Sequence, residues 1–173
     1  MELNPFWQRG DFLAPKIQKN LIKFIKKNKN STKEDIIMEK VTVIGGGNGA
    51  FATAADLTIR GNQVTLFELP RFAAGLSEVI EKGGIEMEAY ANNGLTGGFA
   101  KLHKITTDIG EALAESDIVF IVVPTYSMDT IASLCAPHLR DGQIIVLTPA
   151  NFGGALYFHN VMRSAGCTAK VTL

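Results

Sequence analysis

Apolar residues along this chain cluster in short runs, and helically spaced stretches separate them, with glycine or proline at most of the changeovers. Lys40–Ile44, Gln63–Glu68, Ile118–Val123 and Ile144–Leu147 are the runs, rich in β-branched residues and short enough to read as parallel strands covered on both faces. Between the first two, Phe51–Arg60 is a helix with Ala50, Ala54 and Leu57 on one face, closed by Arg60-Gly61. Pro70 opens a second helix running through Arg71 to Lys82, with Phe72, Leu76, Val79 and Ile80 apolar and Gly83-Gly84 as its stop. Ile85–Tyr90 then alternates, and Asn92-Asn93-Gly94 is a turn, so a small hairpin projects before Lys101–Thr106 enters the sheet. Asp108 followed by Glu111 predicts a capping box on a short helix ending near Ser116. Thr125–Leu139 has helical periodicity through Met128, Ile131, Leu134 and Cys135; Ala155–Ser164 is a further helix, and Ala169–Leu173 begins a sixth strand. This alternation predicts an α/β fold, a Rossmann-type doubly wound, mainly parallel sheet with helices on both faces, in the order 3-2-1-4-5-6 with right-handed crossovers.

The first changeover carries the chemistry. Gly45-Gly46-Gly47-Asn48-Gly49-Ala50 places glycines at 45 and 47 and a small residue at 50, the spacing of a dinucleotide fingerprint. Gly45 allows the tight turn, Gly47 lets backbone approach a pyrophosphate, and Ala50 lets the helix lie close to the strand. The free amides of the helix start, Gly49 among them, then face the phosphates. Asn48 either caps that helix or bonds across the site, with capping the preferred reading. Glu68 ends the second strand 21 residues beyond Gly47, where an acid meets the adenosine ribose hydroxyls. A carboxylate there repels a 2′-phosphate, so NAD is predicted over NADP. Arg71 stacks on adenine, meets a 2′-phosphate, or is simply solvated. The competing account is a βαβ unit whose glycines only make a turn.

Ligands of such sheets bind beyond the carboxyl ends of the strands. Besides the turn, two other strand ends qualify: Val123-Pro124-Thr125-Tyr126 and Pro149-Ala150-Asn151, which by position border the ribose and nicotinamide. Thr125, Tyr126 and Asn151 offer polar groups there, although Asn151 is equally at home as a turn residue. His103, His138 and His159 have neither triad nor metal spacing, and no carboxylate pair suggests acid–base work.

Composition narrows the rest. The 173 residues allow one domain with an appendage. Residues 1–38 are read as a basic extension and 39–173 as the dinucleotide-binding domain. Residues 1–40 carry nine basic and five acidic side chains and residues 41–173 eight and twelve, so the domain has no basic face for nucleic acid. In the extension, Pro15–Lys29 holds six lysines and no acid, with Ile17, Leu21, Phe24 and Ile25 at helical spacing. It is either a basic amphipathic helix for an anionic membrane or partner, or a solvated leader. Cys135 and Cys167 lack metal spacing and read as buried thiols of a reducing compartment. No apolar run reaches the ~18 residues of a membrane span, and no signal-peptide core is present, so a cytoplasmic location is expected.

Val43-Ile44-Gly45-Gly46-Gly47-Asn48-Gly49-Ala50, Ala54-Ala55-Asp56-Leu57, Gly61-Asn62-Gln63-Val64 and Phe67-Glu68-Leu69-Pro70 resemble the opening of opine dehydrogenases of the octopine/nopaline type. So do Ile105-Thr106-Thr107-Asp108, Val122-Val123-Pro124, Ala136–Gln143, Leu147-Thr148-Pro149 and Gly153-Gly154-Ala155-Leu156, giving a likeness over about residues 39–173. The resemblance implies hydride transfer from a nicotinamide to the imine of an amino acid and a 2-oxo acid. It also implies a second, mainly helical domain that supplies the catalytic histidine, its carboxylate partner and the substrate contacts. The sequence stops at Val171-Thr172-Leu173, before such a domain, and has Ser127 where the resemblance calls for a histidine. By this reading the chain alone is a cofactor half, inactive unless completed, and a homodimer is among the partners it admits. The alternatives are a stand-alone NAD-binding module without catalysis, or the cofactor domain of a glycerol-3-phosphate dehydrogenase or ketopantoate reductase-like enzyme.

Overall fold

The computed structural model describes residues 38–88 and 96–173. The basic extension and the turn at Asn92-Asn93-Gly94 therefore lie outside the described residues. The elements are β1 (Lys40–Ile44), α1 (Asn48–Ile59), β2 (Gln63–Phe67), α2 (Ser77–Lys82), β3 (Gly84–Met87), β4 (Gly98–Lys101), β5 (Lys104–Thr106), α3 (Ile109–Leu113), β6 (Ile118–Ile121), α4 (Met128–Cys135), β7 (Ile144–Leu147) and α5 (Gly154–Ser164). Five strands form one parallel sheet in the order β5-β2-β1-β6-β7. The expected sixth strand is reduced to a single parallel bridge from Thr172 to Ile144, outside β7's free edge. The hairpin forms as expected: β3 and β4 pair antiparallel in a separate two-stranded sheet beside α1.

Strand alternation sorts the core into two layers. Thr42 and Ile44, with their neighbours Val119, Ile121 and Phe67, face α3, α4 and α5, where Leu113, Met128, Ile131, Phe158 and Met162 are buried. Val41, Val43, Val64 and Leu66 face the other way, toward α1, which offers only Ala50, Ala54, Ala55 and Leu57. Those small residues let α1 ride close to the sheet. Cys135 and Cys167 are free and buried in the first layer. Burial, reinforced by Cys167, pushes the Cys135 thiol up to about 12.

Three helices differ from expectation, each for a local reason. The stretch after Pro70 is a 3₁₀ segment, Pro70–Leu76, before α2 begins. The stretch after Pro124 likewise starts as a 3₁₀ turn, Thr125–Ser127, and ends as another, Ala136–His138, leaving α4 only eight residues. Pro70 is the first residue of its segment and Pro124 directly precedes its own; neither has an amide to donate, and the tighter turn follows. The capping box before α3 is half formed. Asp108 Oδ1 accepts from the Glu111 amide at 2.8 Å, but the Glu111 carboxylate turns away to Thr106 Oγ1 and Lys104 Nζ. Those two donors hold Glu111 below the usual carboxylate range. Three strands of the parallel sheet are also shorter than read: β2 ends at Phe67, β6 stops at Ile121, and β5 starts at Lys104.

Thr42 is the buried polar residue that ties the layers together: its Oγ1 donates to the Ala112 carbonyl at 2.6 Å, an acceptor at the end of α3 that the short helix leaves unused. Thr42→Val keeps the shape and strands that carbonyl, so urea unfolding should show a loss of about 1–3 kcal/mol. Because Cys135 holds its proton when folded but releases it near its ordinary value when unfolded, only the unfolded chain gains by deprotonation above pH ~9. Stability is therefore expected to fall as pH rises from about 9 toward 12, and Cys135→Ala should flatten that part of a denaturation series.

Candidate functional site

The site is built where β1 ends. The Gly45 amide still donates to the Phe67 carbonyl (2.8 Å) and the Val122 amide to the Ile44 carbonyl (2.9 Å), so the sheet grips the chain up to the turn. Gly45 then takes φ +132°, and a Cβ placed on it would stand 2.3 Å from the Val122 carbonyl oxygen. Only glycine fits there. Gly49 approaches Val122 from above, with a Cβ position 3.4 Å from its Cγ1, and Ala50 is buried against the strand.

Gly47, not Asn48, is the N-cap of α1, so the capping role preferred for Asn48 is not realised: it is the first helical residue and no side chain caps the helix. Glycine at the cap leaves the first turn bare. Among the described residues, the amides of Gly46, Gly47, Asn48, Gly49 and Ala50 donate to no protein acceptor, and the first bond of the helix runs from Phe51 to the Gly47 carbonyl at 3.0 Å. No acid stands in that first turn. Space above Gly47 is open, with nothing within 4 Å of where a Cβ would be. Unpaired amides at the positive end of a helix, under open space, suit a diphosphate.

Glu68 borders this nest on the β2 side. Its Oε1 accepts from the Leu69 amide at 2.7 Å, and its Oε2 reaches within 2.6 Å of the Cβ position of Gly46. Gly46, which the fingerprint does not specify, is thus the residue that makes room for the carboxylate. Arg71 is exposed and lies over the Phe72 ring, 4.9 Å from its centre. On the opposite side, Val123 is buried, Pro124 is exposed, and Thr125 and Asn151 meet: Asn151 Nδ2 donates to Thr125 Oγ1 at 2.7 Å. The exposed side chains of Tyr126 and Phe152 follow these two residues. Glu68, the glycine turn, Thr125 and Asn151 therefore lie in that order along the carboxyl edge of β2, β1, β6 and β7.

The histidines are elsewhere. His159 Nε2 accepts from Arg163 Nε at 3.3 Å on α5, His138 lies against Gly110, and His103 is exposed between β4 and β5. No group of three or more His, Cys, Asp or Glu among the described residues is placed to hold a metal. A cavity of about 50 Å³ opens at the amino ends of the strands, between Lys40, Gln63, Lys104, Glu111 and Glu115, at the far end of the sheet from the glycine turn.

Residues 40–150 match the model of the NAD-dependent glycerol-3-phosphate dehydrogenase N-terminus. The opine dehydrogenase of Arthrobacter sp. (strain 1C) is 36% identical over 124 residues, 72% of this chain and 33% of that protein. A glycerol-3-phosphate dehydrogenase [NAD(P)+] of Lactobacillus delbrueckii subsp. bulgaricus is 30% identical over 110 residues, 63% of this chain and 30% of the relative. Among solved structures, octopine dehydrogenase in complex with NADH and agmatine superposes with a TM-score of 0.66 at 23% identity, over 74% of this chain and 32% of that one. The chain spans about a third of the length of the curated relatives it matches.

The geometry separates two glycines that look alike in sequence. Gly45→Ala forces a left-handed φ and a clash with backbone, and should cost at least about 2 kcal/mol in thermal or urea unfolding. Gly47→Ala, with φ −93° and open space, should stay within about 1 kcal/mol of the parent.

Proposed function

This chain belongs to the NAD-dependent glycerol-3-phosphate dehydrogenase N-terminus family, and we propose that it is the NAD-binding part of an opine dehydrogenase-like oxidoreductase. The observation that carries the reading is the row of amides from Gly46 to Ala50, which donate to no acceptor among the described residues and sit at the start of α1, whose first turn carries no acid. A pyrophosphate takes those donors. Gly45 and Gly49 keep the turn close to β6, and Gly47 leaves the approach open. Glu68, fixed beside the turn by the Leu69 amide, accepts from the adenosine ribose through its remaining lone pairs. Arg71, which leans on Phe72, covers adenine in this reading. Val123, Pro124, Thr125 and Asn151 border the nicotinamide half. When bound, the dinucleotide supplies the hydride, and the contribution of this chain is to hold and orient it.

The reaction class follows the stronger relative. Identity to the opine dehydrogenase exceeds that to the glycerol-3-phosphate dehydrogenases and extends over more of the chain. The substrate is then the imine of an amino acid and a 2-oxo acid. The family match itself favours a second reading, the same cofactor role in reduction of a phosphorylated ketone. Following NADH oxidation with pyruvate and a panel of amino acids, against dihydroxyacetone phosphate, separates the two in the enzyme that contains this domain.

Cofactor choice is tested on the chain itself. A charge-assisted hydrogen bond from the ribose to Glu68 is worth about 1.5–3 kcal/mol, or roughly 10- to 100-fold in affinity. NADH should therefore bind at least tenfold more tightly than NADPH in a fluorescence titration, and Glu68→Gln should close most of that gap. A preference for NADPH in the parent would overturn the assignment.

A further inference from the structure

Thr125 and Asn151 stand 26 residues apart in sequence and are joined by one hydrogen bond, from Asn151 Nδ2 to Thr125 Oγ1 at 2.7 Å. The direction of that bond decides what remains. Thr125 Oγ1 spends a lone pair as acceptor, so its own O–H is left to donate, and no acceptor for it occurs among the described residues. Asn151 Oδ1 is left to accept, and nothing described donates to it. Both residues are anchored from behind. The Thr148 amide bonds to the Ile121 carbonyl (2.9 Å), the Ser127 amide to the Pro124 carbonyl (2.9 Å), and the Gly154 amide to the Asn151 carbonyl (2.8 Å). The pair thus presents one donor and one acceptor side by side, fixed relative to each other by their mutual bond.

We propose that Thr125 and Asn151 form a carboxamide subsite, in which the Thr125 hydroxyl donates to the carboxamide oxygen of the nicotinamide and Asn151 Oδ1 accepts from its N–H. This rests on the reading of the chain as a dinucleotide-binding domain. The dinucleotide crosses the carboxyl edge of the sheet at the switch point. Glu68 marks the adenosine side beyond β2, so the nicotinamide half falls beyond β6 and β7, where this pair lies. A carboxylate or phosphate has acceptors only and would leave Asn151 Oδ1 facing a lone pair. A primary carboxamide offers one acceptor and one donor from two atoms on the same carbon. A ring held by its carboxamide does not spin about its glycosidic bond, so the pair fixes which face the hydride leaves from.

Calorimetric titration of the chain with three probes tests this. ADP-ribose lacks the ring. NADH has the carboxamide. Reduced 3-acetylpyridine adenine dinucleotide keeps the carbonyl oxygen but replaces the NH₂ by a methyl group. One neutral hydrogen bond corresponds to about a 2- to 10-fold difference, so the parent should prefer NADH to the acetylpyridine analogue by roughly that factor. Asn151→Ala should remove the preference and leave ADP-ribose affinity unchanged, which also reports an intact fold. Thr125→Val should weaken both ring-bearing probes, and Thr125→Ser should restore them. Equal weakening of NADH and its analogue by Asn151→Ala, or no weakening of NADH, overturns the subsite while ADP-ribose binding upholds the domain. Failure of ADP-ribose to bind the parent takes down the dinucleotide reading and the subsite with it.

Discussion

The site depends on a missing methyl group. At residue 45 the chain must leave β1 while both neighbouring strands still hold it, through Gly45 to Phe67 on one side and Val122 to Ile44 on the other. The Val122 carbonyl occupies the space that any side chain at 45 would need. With glycine there, the backbone turns at once, and α1 starts over the junction of β1 and β6 rather than a residue or two beyond it. The small face of α1 then becomes a requirement as well, because a helix that starts so close must present Ala50, Ala54 and Ala55 to Val41 and Val43. The absence of a capping side chain completes the arrangement. Asparagine or serine at the cap would have satisfied one of the amides that glycine leaves bare.

Around that turn the carboxyl edge of the sheet is graded in charge. A carboxylate closes β2, bare amides at the positive end of a helix follow β1, and an uncharged hydroxyl–amide pair lies beyond β6 and β7. Each stretch asks for something different: a donor, an anion, and a group with one donor and one acceptor. A molecule with those three features in that order is an unsymmetrical dinucleotide. The gradient comes from three separate strand ends, so it exists only because the order β2-β1-β6-β7 brings them into line.

The sheet was legible from the sequence because buried parallel strands are written as short apolar runs: β6 and β7 are unbroken, and β1 and β2 are interrupted only by Lys40, Thr42, Gln63 and Thr65. The glycine turn was legible because its spacing is a steric requirement rather than a preference. Helices after prolines were not, since apolar spacing does not distinguish a 3₁₀ turn from the first turn of an α-helix, and Pro70 and Pro124 both open 3₁₀ segments. The cap was misread because Asn48 is the better capping residue by chemistry while Gly47 holds the capping position by geometry. Gly46 and the Asn151–Thr125 bond are long-range facts. The first is explained only by the Glu68 carboxylate 22 residues later, and the second only by the adjacency of β6 and β7. Neither contact leaves a local signature, because each partner looks ordinary in its own neighbourhood.

The two ends of the sheet differ in what folding leaves unpaired. The cavity at the amino ends is lined by charge, yet its charges answer one another: Lys40 pairs with Glu115 at 2.6 Å and Lys104 with Glu111 at 2.9 Å. Thr42, on the same wall, already donates to Ala112. A ligand entering there would have to displace partners that are in place, with little to gain from exposed pairs that water already screens. At the carboxyl ends the polar groups are held in position by bonds made behind them, and the atoms that point outward are unspent. An anion arriving at Gly46–Ala50 breaks no protein hydrogen bond, and the helix dipole lies along its approach. The carboxyl end is therefore the one where folding has fixed donors and acceptors without pairing them, although the amino end carries more charge.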